Sequence, residues 1–261
     1  MKRVYIAADL EGISGVRLAE QCEPATPAWE EARRWMAGDV NAAVSGAFGA
    51  GAEEVVVCDT HLGHRSLPLD LLDSRAIVEE PFGHHLLPGI REDFEGLMVV
   101  GAHARAGTAG AFMDHTRRAR EWFRYRLAGD DCGEIGLWAA YAGHFGVPLL
   151  LVTGDAAACR EAEAFVPAVE TVGLKEAVSS TRARTMHPAA AVKLISEAAE
   201  RALRRAGEVG PATVDLPNEV EVEYVRSEFA DEAARRAGAE RVGPCTVRRE
   251  IGSTLDLIKG F

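Results

Sequence analysis

No apolar run in the sequence approaches the ~18 uninterrupted residues that a membrane-spanning helix needs. The opening Met1-Lys2-Arg3 is basic, but Asp9 and Glu11 interrupt the apolar segment that follows too early for a secretory signal. Basic charge is also scarce: 29 Lys and Arg stand against 40 Asp and Glu, for a formal net charge of -11. That balance argues against general affinity for nucleic acid phosphates or anionic lipid. Cysteines number only 5, with no C-x-x-C pair, which suits a reducing compartment and argues against a thiolate zinc site. Together these shortages predict a soluble, cytoplasmic protein with neither nucleic acid nor membrane as partner. Cys58, inside an apolar run, reads as a small buried hydrophobe rather than a reactive thiol.

What is present is a chain of 261 residues, 48% hydrophobic and 26% charged, long enough to bury a substantial core. Short apolar runs of strand character occur at Val4–Ala8, Val55–Cys58, Leu97–Val100 and Leu149–Val152, each bounded by Gly, Pro or charged residues. Helical spacing covers Ala28–Ala47, with Gly49 and Gly51 as stop signals, and recurs at Ile135–Tyr141 and Ala156–Phe165. Strands alternating with helices predict an α/β fold: three layers, a largely parallel sheet with helices on both faces. Glu121–Leu127 alternates aromatic and charged residues before Gly129-Asp130-Asp131, which predicts an antiparallel ribbon instead of a core strand. After about residue 165 the character changes. Pro188–Arg205 is an Ala-rich amphipathic helix, Val220–Val225 and Val247–Ile251 look like strands, and Phe229–Ala237 looks helical. A soft boundary near Thr171–Ser180 divides residues 1–170 from a smaller C-terminal α+β portion, 171–261, which can belong to the same domain.

The chemistry sits at the strand ends. The first run gives way to Asp9-Leu10-Glu11, and residues two apart in extended chain share a face, so both carboxylates can aim at one point. The second run ends in Asp59-Thr60-His61 and the third in Gly101-Ala102-His103. In an open parallel sheet such residues converge in the crevice beyond the carboxyl ends of the strands. Mixed imidazole and carboxylate donors suit zinc, manganese or a similar ion. With two carboxylates among the candidates, a pair of ions able to activate water and polarise a carbonyl is expected. Taken singly, each residue has a plainer explanation. Asp9 and Glu11 read first as solvated loop carboxylates, and His61 has a competitor in His64. His103 reads as a hydrogen-bonded loop histidine, and Glu134 as a carboxylate complementing a helix dipole. His115 lies in a loop that could fold over the site, where an imidazole could carry protons or steady an oxyanion, but a surface position fits it as well. Repetition at three strand ends favours the metal site. His84, His85, His144 and His187 have no such context and read as structural or exposed.

At these residues the chain resembles a known family. The motifs Asp9-Leu10-Glu11-Gly12-Ile13-Ser14-Gly15, Asp59-Thr60-His61, Gly101-Ala102-His103-Ala104-Arg105-Ala106-Gly107-Thr108, His115-Thr116 and Gly133-Glu134-Ile135-Gly136-Leu137 are similar to those of the zinc-dependent D-aminopeptidases associated with bacterial dipeptide-transport operons. The resemblance implies two zinc ions per chain. Asp9 would bridge them, with Glu11, His61, His103 and Glu134 completing the ligand set and His115 as the catalytic histidine. It places the metal-binding catalytic core within residues 1–170. It also implies release of N-terminal D-amino acids from short peptides or amides, and a ring-like homo-oligomer, a decamer of stacked pentamers. The rival expectations are another metal-dependent amidohydrolase acting on a small metabolite, and a non-enzymatic protein that captures peptide or metal.

Overall fold

Val4 through Ala8 are all fully buried, as are Val55, Val57 and Cys58, and Leu97 through Val100, so these strands have water on neither face. That is the burial a parallel sheet between helical layers demands. The computed structural model describes residues 1–61 and 65–261. Numbered in chain order, strands β1 (Arg3–Ala8), β2 (Glu54–Asp59), β3 (Ile77–Glu79), β4 (Phe94–Ala102), β7 (Leu149–Asp155), β8 (Glu170–Ser179) and β9 (Arg182–Thr185) form one sheet. Their order is β3-β2-β1-β4-β7-β8-β9. All neighbours are parallel except β9, which returns antiparallel along β8.

The helices occupy both faces. Helix α1 (Pro27–Gly49) starts where the Thr26 hydroxyl accepts the Trp29 N–H and Pro27 supplies a preset first turn. It ends at Ala50, and Gly51 follows at a φ of 92° that favours glycine. It packs on α4 (Pro188–Arg204), whose first turn is capped by the His187 imidazole. Helices α2 (Glu134–Gly143) and α3 (Ala156–Phe165) pack together against β4 and β7. Right-handed crossovers explain the division: the chain steps one way from β1 to β2 and the other way from β4 to β7 to β8, so the connecting helices fall on opposite faces. The predicted three-layer α/β architecture is the one observed.

A second sheet, β11-β12-β10-β5-β6, is wholly antiparallel. It joins the hairpin β5 (Trp122–Leu127) and β6 (Asp130–Asp131) to β10 (Asn218–Tyr224), β11 (Ala239–Arg241) and β12 (Thr246–Ile251) from the far end of the chain, beside the short helix α5 (Ser227–Ala233). The alternation at Glu121–Leu127 therefore does belong to an antiparallel ribbon outside the main sheet. Strands β3, β8, β9 and β11 were not anticipated from the sequence. No helix among the described residues is long and apolar enough to cross a membrane.

The sheet reverses its winding between β1 and β4, where a crevice opens beyond the strand ends. Close approach there depends on two glycines. A Cβ on Gly12 would stand 2.2 Å from the Ala102 carbonyl oxygen, and one on Gly101 2.1 Å from that of Asp9. The space is filled instead by the hydrogen bond from Gly12 N–H to Gly101 O, 2.8 Å.

Candidate metal centre

The expected side chains converge at this switch point from three strand ends and one helix start. Asp9 and Glu11 follow β1, His61 follows β2, His103 follows β4, and Glu134 opens α2. All five are buried, at 3 to 5% exposure. His61 Nδ1 lies 3.0 Å from Glu11 Oε2 and 3.2 Å from Asp9 Oδ1. His103 Nε2 lies 3.4 Å from Asp9 Oδ2 and 3.4 Å from Glu134 Oε1. Two clusters of potential ligands result, Asp9 with Glu11 and His61, and Glu134 with His103 and His115. One oxygen of Asp9 faces His61 and the other faces His103, so this carboxylate joins the two.

His115 is brought in as well. Its ring stacks on His103 at a centroid distance of 3.9 Å, and its Nε2 lies 4.0 Å from Glu11 and 3.8 Å from Glu134. Its Nδ1 lies 2.8 Å from the Met113 carbonyl, a contact that requires N–H on Nδ1 and leaves the Nε2 lone pair toward the carboxylates. His103 is held in the same sense, Nδ1 toward the Ala104 carbonyl at 3.0 Å and Nε2 inward. Met113 and Arg117, on either side of His115, have φ of 51° and 58°, a left-handed conformation uncommon outside glycine and frequent at functional sites.

Residues beyond the expected set complete the arrangement. Asp59 is turned to the backbone and accepts the N–H groups of His61, Ser66 and Leu67. Arg117 donates its N–H to Glu134 Oε1 at 2.8 Å, and its guanidinium stands 3.5 Å from Glu134 Oε2. Its only sequence signal was its place beside the His115-Thr116 pair. His64, the alternative to His61, lies outside the described residues. His85 approaches the Tyr141 hydroxyl at 3.1 Å and lines a separate small cavity next to Thr60 and Arg117. The pocket above the clusters holds about 560 Å³, and its lining includes Glu23, Met113, Arg118 and Arg120.

The electrostatics are those of a cation site. Burial first, then the neighbouring Glu11 carboxylate, pushes Asp9 up to about 7. Burial also works to raise Glu11 and Glu134, but the imidazoles outweigh it, holding Glu11 well below the usual carboxylate range and Glu134 at about 2. The converse holds for the rings. Burial would lower His61 and His103, yet the carboxylates carry them up to about 11 and about 10. His115, more burdened by burial and by His103, is pushed down. Three buried carboxylates packed against each other need positive charge, and here protonated imidazoles supply it. The donor set, oxygen and imidazole nitrogen with no thiolate, suits zinc or a similar borderline ion, so the residues present fit a metal pair.

The model of the D-aminopeptidase family, Peptidase_M55, matches residues 1–261. The chain belongs to that family. It is an enzyme of the aminopeptidase class. A D-aminopeptidase of Bacillus subtilis (strain 168) is 30% identical over 261 residues, covering 97% of this chain and 93% of its own. A solved structure, described as the Zn-dependent D-aminopeptidase DppA from Bacillus subtilis, a self-compartmentalizing protease, superposes with a TM-score of 0.95 at 28% identity. It covers 99% of this chain and 94% of its own.

Proposed function

We propose that this D-aminopeptidase family member holds two zinc ions between Asp9, Glu11, His61, His103 and Glu134 and removes N-terminal D-amino acids from short peptides or amides. The observation that carries the reading is Asp9, whose two carboxylate oxygens face the two separate clusters of donors at 3.2 and 3.4 Å. Family membership and the Zn-dependent relative support it. When bound, such an ion pair supplies Lewis acidity to the scissile carbonyl and acidifies a water. The chain's own residues do the rest. Glu134 is held by the Arg117 N–H and His103 by the Ala104 carbonyl, so both present a fixed donor. His115, in the role of catalytic residue, keeps its Nδ1–H donated to Met113 O, takes the attacking water's proton at Nε2, and returns it to the departing amine. The pocket of about 560 Å³ admits a short peptide better than a folded chain.

The relative described as self-compartmentalizing supports a homo-oligomer, for which we propose a ring-like decamer of stacked pentamers, and five free cysteines suit a cytoplasmic setting. The decisive assay compares D-Ala-D-Ala, L-Ala-L-Ala and D-alaninamide before and after chelation, with zinc counted per chain. Hydrolysis that survives removal of all metal would overturn the proposal, as would a preference for the L-peptide.

A further inference from the structure

We propose that Lys175 is a positioning residue for the metal centre: its buried ammonium holds the backbone that aims Asp9 and Glu11. This rests on reading those two carboxylates as metal ligands. Lys175 lies on β8 where the pairing with β7 shifts register after Gly154, and it is 3% exposed, a rare setting for lysine. Its Nζ donates to the carbonyl oxygen of Glu11 and, at 2.8 Å, to that of Val16. Both ends of the turn that follows the first metal-site strand are thus tied to one point. A buried carboxylate fixes the middle: Asp39 on α1 accepts the Ser14 N–H at 2.8 Å and the Ser14 hydroxyl at 2.7 Å.

The carbonyl of Glu11 faces Lys175 while its carboxylate faces His61 and His115. Fixing the carbonyl fixes the peptide plane, and with it the direction of the side chain. The same ammonium stands 5.2 Å from the centre of the Phe112 ring, and the Phe112 N–H is held by Asp155 Oδ2 at 3.0 Å. Phe112 leads directly to Met113 and His115, so one lysine borders both segments that enter the site. Without its donors, two buried carbonyls would turn to find others and carry Glu11 with them.

Charge and position predict opposite signs. A cation beside a metal site repels the metal, so if Lys175 acted only through its charge, removing it would tighten zinc binding. If it acts by position, removal weakens it. The test measures zinc affinity of the full chain by competition with a chromophoric chelator, for wild type, Lys175→Met and Lys175→Gln. The expected result is a loss of at least about tenfold in Lys175→Met, within the 10–100-fold range of residues that orient ligands. Lys175→Gln, which keeps a neutral amide NH₂ on a shorter side chain, falls between. The activity lost by each variant should return in large part at saturating zinc, which a purely structural defect would not allow. Unchanged or tighter zinc binding in a folded variant overturns the inference, and so does failure of both variants to fold. A wild-type chain that takes up no zinc at all would instead sink the underlying metal-centre reading.

Discussion

The two sheets handle charge in opposite ways. At the carboxyl edge of the seven-stranded sheet, Asp9, Glu11, Glu134, His61 and His103 are almost wholly removed from water and balance one another at 3.0 to 3.4 Å. On the five-stranded sheet the charges form an open ladder: Arg124 with Glu223 at 3.6 Å, Arg126 with Glu221 at 3.4 Å, Arg248 with Glu219 at 3.4 Å, all partly hydrated. The first two pairs are directly opposite in the antiparallel register, whereas Arg248, which stands opposite Glu221, reaches diagonally to Glu219. The separations are alike. What differs is the solvent, and so the cost of removing one partner: a hydrated pair contributes ~0–1 kcal/mol, whereas a lone buried charge costs several times more.

That contrast can be broken by experiment, beginning where the effect should be greatest. Asp9→Asn leaves one neutral amide where two clusters share a carboxylate. Zinc per chain should fall to near zero by elemental analysis, and kcat/KM for a D-dipeptide by more than about 10⁴-fold, beyond the range of a single acid–base group. Retained zinc would show that the two clusters do not share this residue. His115→Ala should lower kcat by about 10²–10⁴-fold while zinc per chain stays at the wild-type value. A matching loss of zinc would make His115 a ligand rather than the proton carrier.

The third prediction concerns pH. In the metal-free chain His61 and His103 titrate near 11 and 10, above the ordinary imidazole value, so their stabilising effect is complete below about 6.5 and is lost as pH rises through about 10 to 11. At pH 8 both rings are therefore protonated, and ligation requires them neutral. Zinc uptake at that pH should release protons, visible as a binding heat that changes with the ionisation enthalpy of the buffer. A buffer-independent heat would contradict it. The smallest effect belongs to the ladder. Glu221→Ala should cost below about 1 kcal/mol in denaturant unfolding and leave kcat untouched. A larger loss would mean that the second sheet is coupled to the site.

The sequence was most readable where one physical requirement acted alone. Strands β1, β2, β4 and β7 must be apolar on both faces, so they stand out as unbroken runs, and their ends carry Asp9, His61 and His103 at similar offsets. Strand β8 was hidden because it lies near the margin of the sheet, with Thr171, Val172 and Ala177 only half-buried and Gly173 and Val178 exposed. No periodicity marks such a strand. The pairing of β5 with β10, Tyr125 opposite Val222, could not be read at all, since it joins segments far apart in the chain. Glu134 was ambiguous for a sound reason: the first turn of a helix welcomes a carboxylate whether or not a metal is near. Only the resemblance singled it out, and the fold then brings it beside His103. Lys175 and Asp39 carried no signal, because a buried charge that serves backbone groups looks like any other charge in a one-dimensional string.

Gly12 and Gly101 set a condition of a different kind for recognising this centre elsewhere. A search for similar chemistry naturally begins with the acids and imidazoles. Yet a chain that kept every one of them and had alanine at either glycine would place a methyl carbon about 2 Å from a carbonyl oxygen of the facing segment. The strand ends would be wedged apart before any ion arrived. Two residues with no functional group at all are thus the stricter passwords, and a designer transplanting the site should copy the gaps between the ligands as faithfully as the ligands.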